Sequence, residues 1–141
     1  MRWLAVVLYI GVIFSLSSIQ RPPPGPALAH FDKLLHMAEY GILGLLLGWA
    51  LLGGLPARRG AATDPAAPRR LGRVVVPALL VAVVIAIADE LYQLRVPRRE
   101  SSVTDALADL AGVALALIAI GLVGRWQAGR AARGKSHGET G

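Results

Sequence analysis

The chain has 141 residues, of which 55% are hydrophobic and only 17% charged, so it is too apolar for an ordinary soluble domain. That length accommodates one domain and no separate catalytic module. The fifteen Lys and Arg give a net charge of +6, but they lie in short runs without the aromatic readers of a nucleic-acid interface. The absence of cysteine excludes disulfides and Cys-ligated metal sites. Composition therefore predicts a membrane protein that does not bind nucleic acid.

The first apolar stretch covers about residues 3–19 and ends before a proline-dense segment that cannot continue a helix. We interpret this stretch as a first transmembrane helix. The alternative is a cleaved secretory signal, since Arg2 precedes the stretch and Ala27 to Ala29 has the small-x-small form of a cleavage site within residues 1–29. The long, proline-rich interval before Ala27 favours a retained anchor.

Three further apolar stretches, at about residues 32–55, 74–94 and 104–124, are each long enough to cross a hydrocarbon core of about 30 Å. A basic loop, 56–73, separates the first two, and the segment 125–141 lacks an apolar pattern and is predicted to be a disordered cytoplasmic tail. The predicted fold class is all-α, an integral membrane bundle of four transmembrane helices that forms a single domain over residues 1–124.

The distribution of Lys and Arg predicts the orientation, because cytoplasmic loops retain positive charge. Ten lie on the side of the termini and the middle loop: Arg2, Arg58, Arg59, Arg69, Arg70, Arg73, Arg125, Arg130, Arg133 and Lys135. Five lie on the other side: Arg21, Lys33, Arg95, Arg98 and Arg99. Both termini are therefore expected to be cytoplasmic.

With this topology, most of the acidic side chains fall in one layer near the outer ends of the helices. His36 lies about 6 Å deeper than Asp32, and Asp109 about 6 Å deeper than Asp105. Six of the nine acids belong to this layer: Asp32, Glu39, Asp89, Glu90, Asp105 and Asp109. Adjacent acids within an apolar helix cost several kcal/mol unless they find partners or a wet cavity, which indicates a shared polar site.

Helical spacing indicates which of these side chains share a face. Asp32, His36 and Tyr40 recur every four residues, as do Asp89 with Gln93 and Asp105 with Asp109. Ser102 is a candidate N-cap of the fourth helix. A carboxylate beside a histidine suits acid–base chemistry, so the catalytic candidates are His36, Asp32, Asp89 and Glu90. The predicted ligand-binding set is Lys33, His36, Tyr40, Asp89, Glu90, Gln93, Arg99, Asp105 and Asp109.

Two other interpretations of the acids stay open. One is a structural network in which Arg98 or Arg99 neutralises the acids and holds the helices together. The other is a hard divalent cation on His36 and several carboxylates. Because no metal-specific spacing is present, no metal and no cofactor are predicted.

The ordered set Asp32-Lys33-x-x-His36-x-x-x-Tyr40, Asp89-Glu90-x-x-Gln93, and Pro97, Arg99 and Asp105, with Gly112 in the last helix, resembles the VanZ-like family over about residues 15–124. The resemblance implies a small, multi-pass protein of the bacterial cell membrane. The family's namesake is an accessory factor in resistance to the glycopeptide teicoplanin. The chain departs from the family pattern at Arg98, where Gly is usual, and at Asp109, where Asn is usual.

We therefore expect an envelope protein in the lipid bilayer whose outer site binds the polar or anionic headgroup of a lipid or a cell-wall precursor. Arg98, Arg99 and Lys33 would hold the anion, and the acids and His36 would orient it. An intramembrane enzyme acting on a lipid-linked substrate is the first alternative, although no nucleophile motif supports it. A structural partner in a membrane complex is the second, and the sequence identifies no protein partner.

Overall fold

The computed structural model describes residues 1–19, 26–53, 67–97 and 102–136. These ranges contain four α-helices: α1 (Arg2–Ser17), α2 (Pro26–Leu51), α3 (Ala67–Gln93) and α4 (Val103–Ser136). The predicted all-α fold is confirmed.

Three of the four helices contain segments long and apolar enough to cross a membrane, namely Phe31–Leu51, Gly72–Gln93 and Val103–Arg130. α1 is apolar but has only 16 residues. Its length is therefore about 24 Å, against a hydrocarbon core of about 30 Å.

The helix boundaries differ most from the predicted ones at three places. α2 begins at Pro26, earlier than predicted, because proline is accepted at the first helical position, where its missing N–H would have no partner. α3 begins at Ala67, inside the predicted loop 56–73. α4 continues to Ser136, so a disordered tail is wrong over residues 125–136, where Ala, Arg and Gln are strong helix formers. Residues 137–141 lie outside the described ranges.

Side-chain contacts bring one end of each helix to the same end of the bundle, which we call the site end. At the C-terminal end of α1, Ser18 Oγ lies 2.8 Å from Tyr92 OH near the end of α3, and the Phe14 ring packs edge-on against the Tyr92 ring at 5.6 Å. Lys33 Nζ in the first part of α2 lies 2.7 Å from Asp105 Oδ1 in the first turn of α4. Consecutive helices therefore run in opposite directions.

α2 and α4 form the most extensive helix contact, and glycines make their close approach possible. A Cβ placed at Gly112 would collide with the Met37 carbonyl oxygen. A Cβ at Gly44 would lie 2.9 Å from both Ala116 Cβ and Val113 Cα. Small residues at such contacts allow helix backbones to approach closely, as is typical of membrane bundles. This seam fixes the distance between the polar side chains of α2 and α4.

The outward faces of the helices are strongly apolar. On α3, Leu80, Val84, Ile87 and Leu91 are each more than half exposed, while Ala82 between them is fully buried. Exposed large apolar side chains also occur on α1, α2 and α4. Contiguous apolar surface of this extent is unusual on a soluble monomer. The bundle is therefore suited to a lipid environment.

Candidate functional site

A layer of buried polar side chains lies at the site end, between α2, α3 and α4. All of its members are at most 9% exposed, and they are His36, Asp89, Glu90, Gln93, Asp105 and Asp109, with the Tyr40 phenol beside them. The surrounding helices are apolar, so each of these groups loses water on folding and needs compensating partners.

α2 and α4 are joined across the layer by two charged contacts. His36 Nδ1 lies 3.0 Å from Asp109 Oδ1, and both side chains are almost fully buried. One turn nearer the helix ends, Lys33 Nζ donates to Asp105 Oδ1 and to Thr104 Oγ1, each at 2.7 Å. The Lys33 side chain is 38% exposed, so this second contact lies at the margin of the site.

α3 contributes an acid pair whose two members have different partners. Gln93 Nε2 donates to Asp89 Oδ2 at 2.8 Å, one helical turn away, as the four-residue spacing predicts. Glu90 Oε2 accepts the backbone N–H of Ser102 at 2.9 Å, which ties α3 to the beginning of α4. Ser102 Oγ in turn accepts the Thr104 N–H at 3.3 Å, so the predicted N-cap is present.

Among the almost fully buried side chains that the structure describes, three carry an oxygen atom without a hydrogen-bond partner. These atoms are Asp89 Oδ1, Asp109 Oδ2 and Tyr40 OH, on three side chains that are at most 1% exposed. Asp89 lies near both Asp109 and Tyr40. An unsatisfied buried polar atom costs about 1–3 kcal/mol, more when it is charged, so these three atoms are strong candidates for ligand contacts.

Acidic groups outnumber basic groups in the described part of the site. Asp89, Glu90, Asp105 and Asp109 are buried carboxyl groups. Within the same described part, Lys33 and His36 are the basic side chains with contacts to these carboxyl groups. A protein interior does not stabilise such an imbalance by itself. Protons, cations or donor groups of a ligand would offset it, as would Arg98 and Arg99, which lie outside the described ranges.

One subset of these side chains has the chemistry of a metal site. Asp32, His36 and Asp105 each offer one donor atom, and the three atoms lie within 4.8 Å of one another. His36 and Asp105 are buried, whereas Asp32 is partly exposed. The sequence predicted no metal because no metal-specific spacing is present.

The structure brings most of the predicted binding residues into one layer. Asp32, His36 and Tyr40 lie on one face of α2, and Asp105 and Asp109 on one face of α4, as the periodicity indicates. His36 Nδ1 is held by Asp109 from the other helix, whereas the sequence suggested Asp32 as its orienting group. Arg98 and Arg99 lie outside the described ranges.

Two contacts of the site were not predicted. Thr104 Oγ1 accepts a hydrogen bond from the Lys33 ammonium group, and the Ser102 N–H donates to the Glu90 carboxyl group. The presence of Ser and Thr at the start of a helix could have suggested both. The hydrogen bond between Ser18 and Tyr92 assigns Ser18 a role in helix packing.

The fold and the layer together define a helical membrane protein with a buried polar site at one end of the bundle. The VanZ/LLP1 family model matches residues 3–124, which is most of the chain and includes all of the polar layer. The chain therefore belongs to the VanZ/LLP1 family, as its motifs suggested. Searches of curated proteins and of solved structures found no match.

Proposed function

We propose that all four helices lie in the bacterial cell membrane, with both termini in the cytoplasm and the site end at the outer face. The ten-to-five distribution of Lys and Arg supports this orientation. α1 is short, but Val6 and Ile13 on it are buried in the common core, and Tyr9 OH donates to the Glu39 carbonyl oxygen of α2 at 3.1 Å. A short helix packed in this way is accommodated by local thinning of the bilayer.

At the site end, the bundle binds the polar headgroup of an envelope lipid or a lipid-linked cell-wall precursor. The observation that supports this role is the set of buried oxygens without partners, on Asp89, Asp109 and Tyr40. Carboxylate oxygens accept hydrogen bonds, and hydroxyl groups of a glycerol or sugar headgroup supply donors. The Tyr40 hydroxyl can also donate to a headgroup oxygen.

The phosphate of such a lipid would lie at the margin of the site rather than among the acids. Lys33 is at that margin and partly exposed. Arg99, which follows α3 in the sequence, is expected to contribute a second positive charge there, since arginine binds phosphate with two parallel hydrogen bonds. The headgroup hydroxyls would thus contact the buried acids, and the phosphate would contact Lys33 and Arg99 at the margin of the site.

Binding to three lipids tests this proposal. The full chain in nanodiscs is titrated with phosphatidylglycerol, which carries hydroxyls and a phosphate, with phosphatidic acid, which lacks the headgroup hydroxyls, and with phosphatidylcholine, which has no hydroxyl donor. We expect the tightest binding for phosphatidylglycerol, weakened by Asp89→Asn and by Arg99→Ala. The matched control is Asp64→Asn, the same charge change in the segment between α2 and α3. Equal affinity for the three lipids would overturn the proposal.

An intramembrane enzyme is the second candidate, and one observation favours it. Asp109 holds the His36 ring through Nδ1, which is how an acid orients a general base. Turnover of a lipid-linked substrate that disappears in His36→Gln, with the fold intact, would establish this candidate. A link to glycopeptide resistance stays a prediction from the family resemblance, and teicoplanin susceptibility of a host that expresses the chain checks it.

A further inference from the structure

The three donor atoms of Asp32, His36 and Asp105 form a compact chelating group. Asp32 and His36 are one turn apart on α2, and Asp105 comes from the first turn of α4. Their donor atoms lie within 4.8 Å of one another. Ligands about 2.1 Å from a tetrahedral ion are about 3.4 Å apart, so contraction by up to about 1.4 Å would bring these atoms into coordination distance.

Asp109 provides the second observation. Its Oδ1 lies 3.0 Å from His36 Nδ1, which leaves Nε2 as the nitrogen available to a metal. Metal-binding histidines usually have their other nitrogen fixed by a carboxylate in this way. The second oxygen, Oδ2, is fully buried without a hydrogen-bond partner among the described residues, although it belongs to a carboxyl group. A cation bound beside the imidazole ring would offset the negative charge of the Asp109 carboxylate.

We propose that Asp32, His36 and Asp105 bind a divalent first-row transition-metal ion such as Zn²⁺ or Mn²⁺, with Asp109 as the residue that positions His36. One imidazole and two carboxylates suit such ions, whereas Ca²⁺ and Mg²⁺ prefer oxygen ligands alone. Three protein ligands leave a coordination position for water or for a ligand oxygen. The cation site does not depend on headgroup binding.

Lys33 competes with the cation for Asp105. Its ammonium group lies 2.7 Å from Asp105 Oδ1, and a like charge at this distance opposes a divalent ion on the same carboxyl group. The Lys33 side chain is 38% exposed and can withdraw toward the membrane surface. Replacing it with Met, which keeps most of its apolar length, should therefore tighten cation binding.

Titration of the untagged full chain with Zn²⁺ and Mn²⁺ tests the site. The protein is placed in phosphatidylcholine nanodiscs, which supply no anionic lipid, and is stripped with a chelator. Calorimetry measures Zn²⁺ binding, and electron paramagnetic resonance measures Mn²⁺ binding. We expect one ion per chain, no binding at this site in His36→Gln or Asp105→Asn, and about 10–100-fold weaker binding in Asp109→Asn. Ca²⁺ and Mg²⁺ should bind far more weakly.

The controls separate this site from a histidine elsewhere in the chain and from misfolding. His137→Gln, which changes the same side chain near the C-terminus, should bind as the wild type does. Lys33→Met removes no metal-coordinating side chain and should bind the cation more tightly. It therefore tests the site even if a variant of a coordinating residue fails to fold. Absence of stoichiometric binding in the wild type, or binding that is unchanged in His36→Gln, would overturn the proposal. Neither result would affect the phosphatidylglycerol experiment.

Discussion

Replacement of Gly112 by alanine should separate α2 from α4. The added Cβ would collide with the Met37 carbonyl oxygen and lie 2.9 Å from the Gly41 backbone nitrogen. A backbone oxygen cannot rotate away, so the helices must move apart by on the order of 1 Å. Overpacking of this kind costs about 1–3 kcal/mol. The higher helix propensity of alanine returns at most about 1 kcal/mol, so we expect a net destabilisation of up to about 2 kcal/mol relative to the wild type.

Gly11→Ala is the matched control, because a Cβ at Gly11 has no neighbouring atom within 4 Å. Reversible unfolding in mixed detergent micelles, followed by circular dichroism, gives the difference in unfolding free energy. The same displacement should lengthen the 3.0 Å contact between His36 and Asp109, because both residues lie within one turn of the collision. A Gly112→Ala protein as stable as Gly11→Ala would refute the close-packed seam.

Three other predictions concern the cap, the acids and the orientation. Ser102→Ala removes the acceptor for the Thr104 N–H and should destabilise the protein by about 0.5–2 kcal/mol in the same unfolding assay, and an unchanged value would contradict the cap. Asp89→Asn retains an oxygen for Gln93 and removes a buried charge, so thermal denaturation should show equal or higher stability, whereas a large loss would indicate an essential ion pair. Because the chain has no cysteine, single cysteines at positions 64 and 100 can be labelled in intact cells with an impermeant maleimide. Only position 100 should react, and the reverse pattern would contradict the proposed orientation.

The sequence predicted most members of the polar layer, because their positions follow from helix geometry. The helical period places Asp89 with Gln93, and the positions of acids near helix ends place them at one depth. Both rules depend only on local geometry. The family motifs, now supported by the match over residues 3–124, pointed to the same side chains.

The sequence did not predict which helices make the closest contact or which acid holds His36. The period fixes the face of a helix, but the rotation and distance between helices depend on packing at Gly44 and Gly112. That packing brings Asp109 to His36 and gathers the donor atoms of the proposed metal site. The end of α4 was also missed, because alanine and arginine maintain a helix without an apolar pattern.

The central claim is that the buried polar layer is a binding site and not a structural lock. Asp109→Asn tests it most directly, because asparagine keeps the shape of the side chain and can still bond His36. The measurement compares thermal stability with binding of Zn²⁺ and of phosphatidylglycerol for this variant and the wild type in nanodiscs. We predict that binding falls while stability holds or rises. A collapse of stability, with binding unchanged in the fraction that remains folded, would contradict the claim and make the layer structural.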